Sequence, residues 1–196
     1  DPNASWAIRN VFSGRLIDVP GHQETTTGGT TMHLWDLSAN GDGDQFWRVV
    51  AAPEPGWYFI KNAWNNKVLG IRDGSTENGA ELVQQDEAAT DPTQHWKLAA
   101  LGDGRYHIIN RKSGKALDLS GDDCCGGNGT PIQQWTCRTT RSTRDGHSPS
   151  DYAPTDGLDR GGARRDPAHH RHPRRSGCGR GRRVRAVLHG HPASYR

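Results

Sequence analysis

The chain predicts an all-β fold built from three internal repeats, with a basic tail outside it. Three observations carry this reading. Three segments align without gaps, turn signals recur at regular spacing, and the composition breaks near residue 137. Glycine (25) and proline (11) are spread through the 196 residues and interrupt helical periodicity every few positions. Hydrophobic residues make up 32%, less than in a typical globular chain, so part of the chain is expected to lie outside the core. No apolar run approaches 18 residues, so no membrane-spanning helix and no membrane partner are expected. The first residues, Asp1-Pro2-Asn3-Ala4, carry no basic, apolar-cored leader.

The aligned segments are Ile8-Arg9-Asn10 to Val19, Ile60-Lys61-Asn62 to Ile71, and Ile108-Ile109-Asn110 to Leu119. In each, a short apolar strand meets a turn (Ser13-Gly14, Asn65-Asn66, Ser113-Gly114), then a basic residue and a second strand, the pattern of a β-hairpin. A loop rich in Gly, Thr and Asn follows: Gly28-Gly29-Thr30, Asn78-Gly79-Ala80 and Asn128-Gly129-Thr130. Each loop leads into a third strand, Met32–Trp35, Leu82–Gln85 or Ile132–Trp135. The first two copies close with Gln45-Phe46-Trp47 and Gln94-His95-Trp96, and each closing motif runs into a fourth strand. One repeat cannot bury its own apolar face, but three around an axis can. The repeats are placed at about 5–52, 57–100 and 105–137, within one domain spanning 5–137.

The order Ile-x-Asn, Ser-Gly-x-x-Leu-Asp, Asn-Gly-Thr-x-Ile-Gln-x-Trp and Gln-x-Trp resembles the ricin B-type lectin family over roughly residues 5–137. The resemblance implies a β-trefoil, with Trp47 and Trp96 in its core. It implies a non-catalytic carbohydrate-binding module with glycans or polysaccharide as partners. It further implies that each repeat builds a shallow site from a carboxylate, an amide and an aromatic ring that covers the C–H face of a sugar. Repeat one offers Asp18, His33 in the usual Gln place, Trp35, and Asp44-Gln45 in the usual Asn-Gln place. Repeat three offers Asp118, Gln133 and Trp135, with Asn128-Gly129 in its loop. Repeat two has Gly70, Gln85 and Thr93 at the matching places and is expected not to bind. Galactose- or xylose-type sugars or plant polysaccharide are the expected ligands. The chain is expected to be a secreted, extracellular monomer, and a fragment of a polysaccharide-degrading glycoside hydrolase. The alternative is a trefoil scaffold acting as an inhibitor or protein-binding module.

No nucleophile elbow, zinc-binding His pair, phosphate loop or dinucleotide fingerprint is present, so neither catalysis nor a cofactor is expected. The family often bridges a Cys before the Leu-Asp-Val strand to one after the Gln-x-Trp-like strand. Cys137 fits the second place, but Leu16, Val68 and Ala116 occupy the first. Pairing of Cys124 or Cys125 with Cys137 stays open, and the spacing suits no metal site.

Residues 1–137 carry 11 basic and 17 acidic side chains; residues 138–196 carry 14 Arg and 5 Asp. All seven Trp precede residue 138, and the last 59 residues lack Trp, Phe, Ile, Asn, Gln, Lys and Glu. This Arg/Gly/Pro-rich tail is expected to be disordered. With only Tyr152 and Tyr195 to stack on bases, nucleic acid is not an expected partner. In the first two repeats the closing Trp follows the anchoring Asn by 37 and 34 residues, which predicts a third Trp near 144–147. None is there. The neighbouring reading frame permits Asp-Asp-Ala-Gln-His-Gln-Arg-Trp, with the Trp codon straddling Asp145 and Gly146. A frameshift after about Cys137 is therefore expected. Lacking its closing strand, the third lobe is expected to leave an open seam of unpaired backbone groups.

Overall fold

The computed structural model describes residues 4–21, 27–39, 43–121, 126–137 and 185–191; in the last segment it describes the side chains of Val187 and Leu188 only. All of these belong to one compact unit, and the second unit, Arg138–Ser176, lies wholly outside the described residues. The expectation of a disordered tail over 138–196 falls outside them except at 185–191, which form a strand, and that of a bridge from Cys124 or Cys125 falls outside them too. The Sγ of Cys137 lies 3.4 Å from Nδ1 of His107.

The described fold is all-β. Repeat one contributes β1 (Ser5–Asn10), β2 (Leu16–Asp18), β3 (His33–Trp35) and β4 (Phe46–Ala51). Repeat two contributes β5 (Tyr58–Asn62), β6 (Val68–Ile71), β7 (Leu82–Gln85) and β8 (Trp96–Gly102). Repeat three contributes β9 (Arg105–Asn110), β10 (Ala116–Leu119) and β11 (Ile132–Trp135), and β12 (Arg185–His191) completes a twelve-stranded sheet. Every pairing between these strands is antiparallel. The architecture is a β-trefoil.

The repeated Asn has a specific job. Asn10 Oδ1 accepts from the backbone N–H groups of Phe12 and Ser13, Asn62 Oδ1 from those of Trp64 and Asn65, and Asn110 Oδ1 from those of Lys112 and Ser113. One buried amide thus holds each hairpin turn, and Gly14, Asn66 and Gly114 supply the left-handed backbone that completes it. Trp47 and Trp96 are fully buried, as expected of the two closing motifs. Their indole N–H groups donate to the carbonyls of Ile17 (3.0 Å) and Leu69 (2.9 Å), so each bulky ring fills the core without leaving its nitrogen unpaired. Around them pack Ile8, Ile60 and Ile108, Leu69 and Leu117, and Met32, Leu82 and Ile132. Threefold-related positions converge on a single core.

The expected open seam is corrected. β12 lies between β1 and β9, paired from Ser5↔His191 to Asn10↔Ala186 on one side and from Arg185↔His107 to Val187↔Arg105 on the other. Two exposed strand edges offer a template that needs only backbone donors and acceptors. Leu188, opposite Ile8, adds an apolar side chain against the core. The composition of the tail hid this seven-residue segment.

Candidate functional site

Strand pairing decides which side chains meet. In repeat one Asp18 pairs with His33, and Leu16 with Trp35. Alternation along β3 then brings His33 and Trp35 to the same face as Asp18. Nε2 of His33 lies 2.6 Å from Oδ2 of Asp18, and the imidazole stacks on the Trp35 indole with centroids 5.1 Å apart and planes 24° from parallel. Asp18 is nearly covered, with 9% of its side chain exposed, whereas Trp35 is 39% exposed. An open cavity of about 200 Å³ is lined by Asp18, Gly21, His33, Trp35 and Gln45. A carboxylate thus lies at the cavity wall beside a half-open indole face.

Asp44 and Gln45 sit in the short 3-10 turn Gly43–Gln45, and both are buried. Gln45 donates to the carbonyl of Asp36 and accepts from the N–H of Ser38, so its amide braces the loop that follows the platform ring. Gln94 does the same in repeat two, accepting from Ala88 and donating to Asp86. Gln45 therefore reaches the site mainly as a loop tie. Asp44 is 1% exposed and is not among the cavity-lining side chains.

In repeat three Asp118 pairs with Gln133 and Ala116 with Trp135. Gln133 Nε2 donates to Oδ2 of Asp118 at 3.5 Å and to the carbonyl of Leu119 at 3.3 Å. Trp135 is 43% exposed, the same state as Trp35 and opposite to the sealed Trp47 and Trp96. Exposure thus separates platform rings from closing rings, a distinction the bare residue type does not make.

Repeat two has closed its own site. A Cβ on Gly70 would lie 2.1 Å from Oε1 of Gln85, because the Gln85 side chain occupies the space an Asp would need. Gln94 donates to that same oxygen at 3.1 Å and holds it there.

The arrangement also contains residues to which the sequence reading gave no role. Asn128-Gly129 braces repeat one. Asn128 Oδ1 accepts from Nε of Arg15 (2.7 Å) and from the N–H of Asp36 (2.9 Å), and its Nδ2 donates to the Asp36 carboxylate. The Gly129 N–H donates to the carbonyl of Leu34, and a Cβ on Gly129 would touch the Trp35 ring at 3.9 Å. Asn78-Gly79 repeats this in site three: Asn78 accepts from the N–H and hydroxyl of Thr136, Gly79 donates to Gln134, and a Cβ on Gly79 would lie 3.9 Å from Trp135. Each platform is thus braced by the loop of the neighbouring repeat. The recurring Asn-Gly was visible in the sequence; the shift by one repeat comes from the threefold packing.

Residues 43–135 match the family described as ricin-type beta-trefoil lectin domain-like. Over these residues the chain is similar to that family. ThreeFoil, a designed threefold-symmetric protein, is similar with 28% identity and a TM-score of 0.61, over 69% of this chain and 91% of that one. The exo-β-1,3-galactanase 1,3Gal43A of Clostridium thermocellum is similar with 29% identity and a TM-score of 0.61, over 69% of this chain and 28% of that enzyme. The lectin of Polyporus squamosus shares the fold at 12% identity, with a TM-score of 0.56 over 69% of this chain and 44% of that one. Among the described residues of the lectin-like domain, no cluster of three or more His, Cys, Asp or Glu side chains is placed to hold a metal ion.

Proposed function

We propose that the lectin-like domain binds carbohydrate without cleaving it, through two sites: Asp18–His33–Trp35 and Asp118–Gln133–Trp135. The observation that carries this reading is the open cavity in repeat one, where a carboxylate and a half-exposed indole face a common space. Vicinal hydroxyls suit the carboxylate and its imidazole partner, and the C–H face of a pyranose suits the ring. Hydrolysis of a glycosidic bond needs two carboxyl groups at a set separation across one bond. Here Asp18 is the only carboxylate that lines the described cavity, and Asp118 belongs to a separate repeat.

Galactose- or xylose-type residues of a plant polysaccharide are the proposed ligands, and the proposed setting is a secreted glycoside hydrolase to which this domain is appended. Likeness to a 28% stretch of a galactanase supports that setting. Each site is shallow, so strength comes from two sites on one polymer, where the second contact is effectively intramolecular. The test is retention on a panel of insoluble polysaccharides by the native chain, Asp18→Ala, Asp118→Ala and the double variant. Each single variant is expected to lose at least tenfold in retention, and the double variant to be unretained. Full retention by a correctly folded double variant would favour the protein-binding scaffold.

A further inference from the structure

The third closure of the barrel differs from the other two at one register position. In repeat one Trp47 pairs with Trp6 on β1 and with Asn62 on β5. In repeat two Trp96 pairs with Tyr58 on β5 and with Asn110 on β9. The third equivalent position, paired with Tyr106 on β9 and Asn10 on β1, is held by Ala186. An alanine therefore stands where the threefold pattern has an indole. Two further positions record the mismatch. Asn62 Nδ2 donates to the carbonyls of Asp44 and Phe46, and Asn110 Nδ2 to that of Thr93, all at the entry to the closing strand. Nδ2 of Asn10 is fully buried and has no partner among the described residues. The closing indoles donate to Ile17 and Leu69; among the described residues none reaches the equivalent carbonyl, that of Leu117. The rest of β12 fits, since Leu188 opposite Ile8 takes the place that Val49 has opposite Ile60 and Leu98 opposite Ile108.

We infer that the seam between β1 and β9 is a strand-acceptor site whose closing-indole register position β12 does not match. Its fitting partner is an extended polypeptide segment that carries Gln-x-Trp followed by alternating apolar residues. β12 supplies the backbone pairing and the Leu188 contact but neither the indole nor an acceptor for Asn10. A better-matched strand gains both and displaces it, by the strand addition that open sheet edges support. The neighbouring frame permits Gln-Arg-Trp with its Trp about 35 residues after Asn110, inside the interval set by the first two repeats.

The test uses the full chain and a labelled peptide spanning residues 91–102, its own second closing segment. Fluorescence anisotropy should show saturable binding, and a peptide with Trp96→Ala should bind at least tenfold more weakly. Placing the indole in cis, Ala186→Trp, should raise Tm by roughly 5 °C and weaken binding of the peptide at least tenfold. An unchanged or lowered Tm for Ala186→Trp would overturn the mismatch, because an indole forced into a filled core destabilises. A raised Tm without selective peptide binding would overturn acceptance in trans.

Discussion

Sites one and three share a carboxylate and an exposed indole but differ in what holds the carboxylate. His33 approaches Asp18 to 2.6 Å and also stacks on the platform ring, so carboxylate, imidazole and indole form one connected wall. Gln133 approaches Asp118 only to 3.5 Å, divides its amide with the Leu119 carbonyl, and leaves the Trp135 ring without a stacked neighbour among the described residues. The binding groups proposed for site one are fixed relative to one another, which lowers the freedom lost when a sugar docks. Site three keeps a more open platform. The two proposed sites share the indole and the carboxylate and differ in the residue between them, His33 in one and Gln133 in the other.

The most direct way to break the comparison is to remove each platform. Trp35→Ala should abolish binding at site one, a loss of about 2 kcal/mol or more from that site, and leave site three intact. Trp135→Ala should do the reverse. Titration calorimetry with an oligosaccharide should show the stoichiometry halved in both. Loss of fold would appear in the melting curve, but neither ring belongs to the main core. If either single variant loses both sites, the two are not independent.

Repeat two offers a gain instead of a loss. Its site is closed by a glutamine that fills the space beside Gly70. Gly70→Asp alone should push the Gln85 side chain aside and break its hydrogen bond from Gln94, leaving the site without a platform. Combined with Gln85→Trp, which clears that space and restores a platform, it should raise the sugar stoichiometry by one site. A stable double variant with unchanged stoichiometry would show that carboxylate and ring are not sufficient.

Much of this was legible before any coordinates. Asn10, Asn62 and Asn110 announced the repeat, and each holds a hairpin turn. Gln45-Phe46-Trp47 and Gln94-His95-Trp96 announced two closures, and both indoles are sealed in the core. What stayed hidden was relational. That Asn128 braces Trp35 and Asn78 braces Trp135 follows from how repeats pack around an axis, which spacing along one chain does not state. That Gln45 ties a loop depends on the backbone groups within its reach. β12 was hidden for another reason: a sheet edge selects a partner mainly through its backbone, so a tail with atypical composition can still supply a strand.

The bracing across repeats predicts crossed effects of intermediate size. Asn128→Ala removes the acceptor for Arg15 and for the N–H of Asp36, so it should weaken site one, by about 1 kcal/mol or roughly fivefold, and spare site three. Asn78→Ala should weaken site three by a similar factor and spare site one. Effects confined to the site in the same repeat as the mutated Asn would contradict the crossed assignment.

The smallest expected effect separates repeats one and two within their closing motifs, where Phe46 and His95 are equivalents. His95 is 1% exposed, packs edge-on against Phe59 with centroids 4.9 Å apart, and has Nδ1 3.0 Å from Nη1 of Arg111. A guanidinium can only donate, so that nitrogen accepts and the ring is neutral. Burial, reinforced by the nearby Arg111 charge, holds the His95 pKa below the ordinary value of 6.5. The unfolded chain therefore binds this proton more readily than the folded one. The contribution of His95 is fully present above pH 6.5 and is lost as the pH falls from there toward the lower folded value. The carboxylate of Glu81, held below its ordinary 4.5 by hydrogen bonds from Arg72 and Thr31, acts in the same direction but only in a more acidic range. Melting curves between pH 7.5 and 5.5 should therefore isolate the histidine. The native chain should lose a few degrees of Tm across that interval. His95→Phe, which installs the residue repeat one already buries at this position, should flatten the dependence while leaving the closure by Trp96 in place. Parallel pH profiles for the two proteins would show that the imidazole beside Arg111 does not govern stability near neutrality.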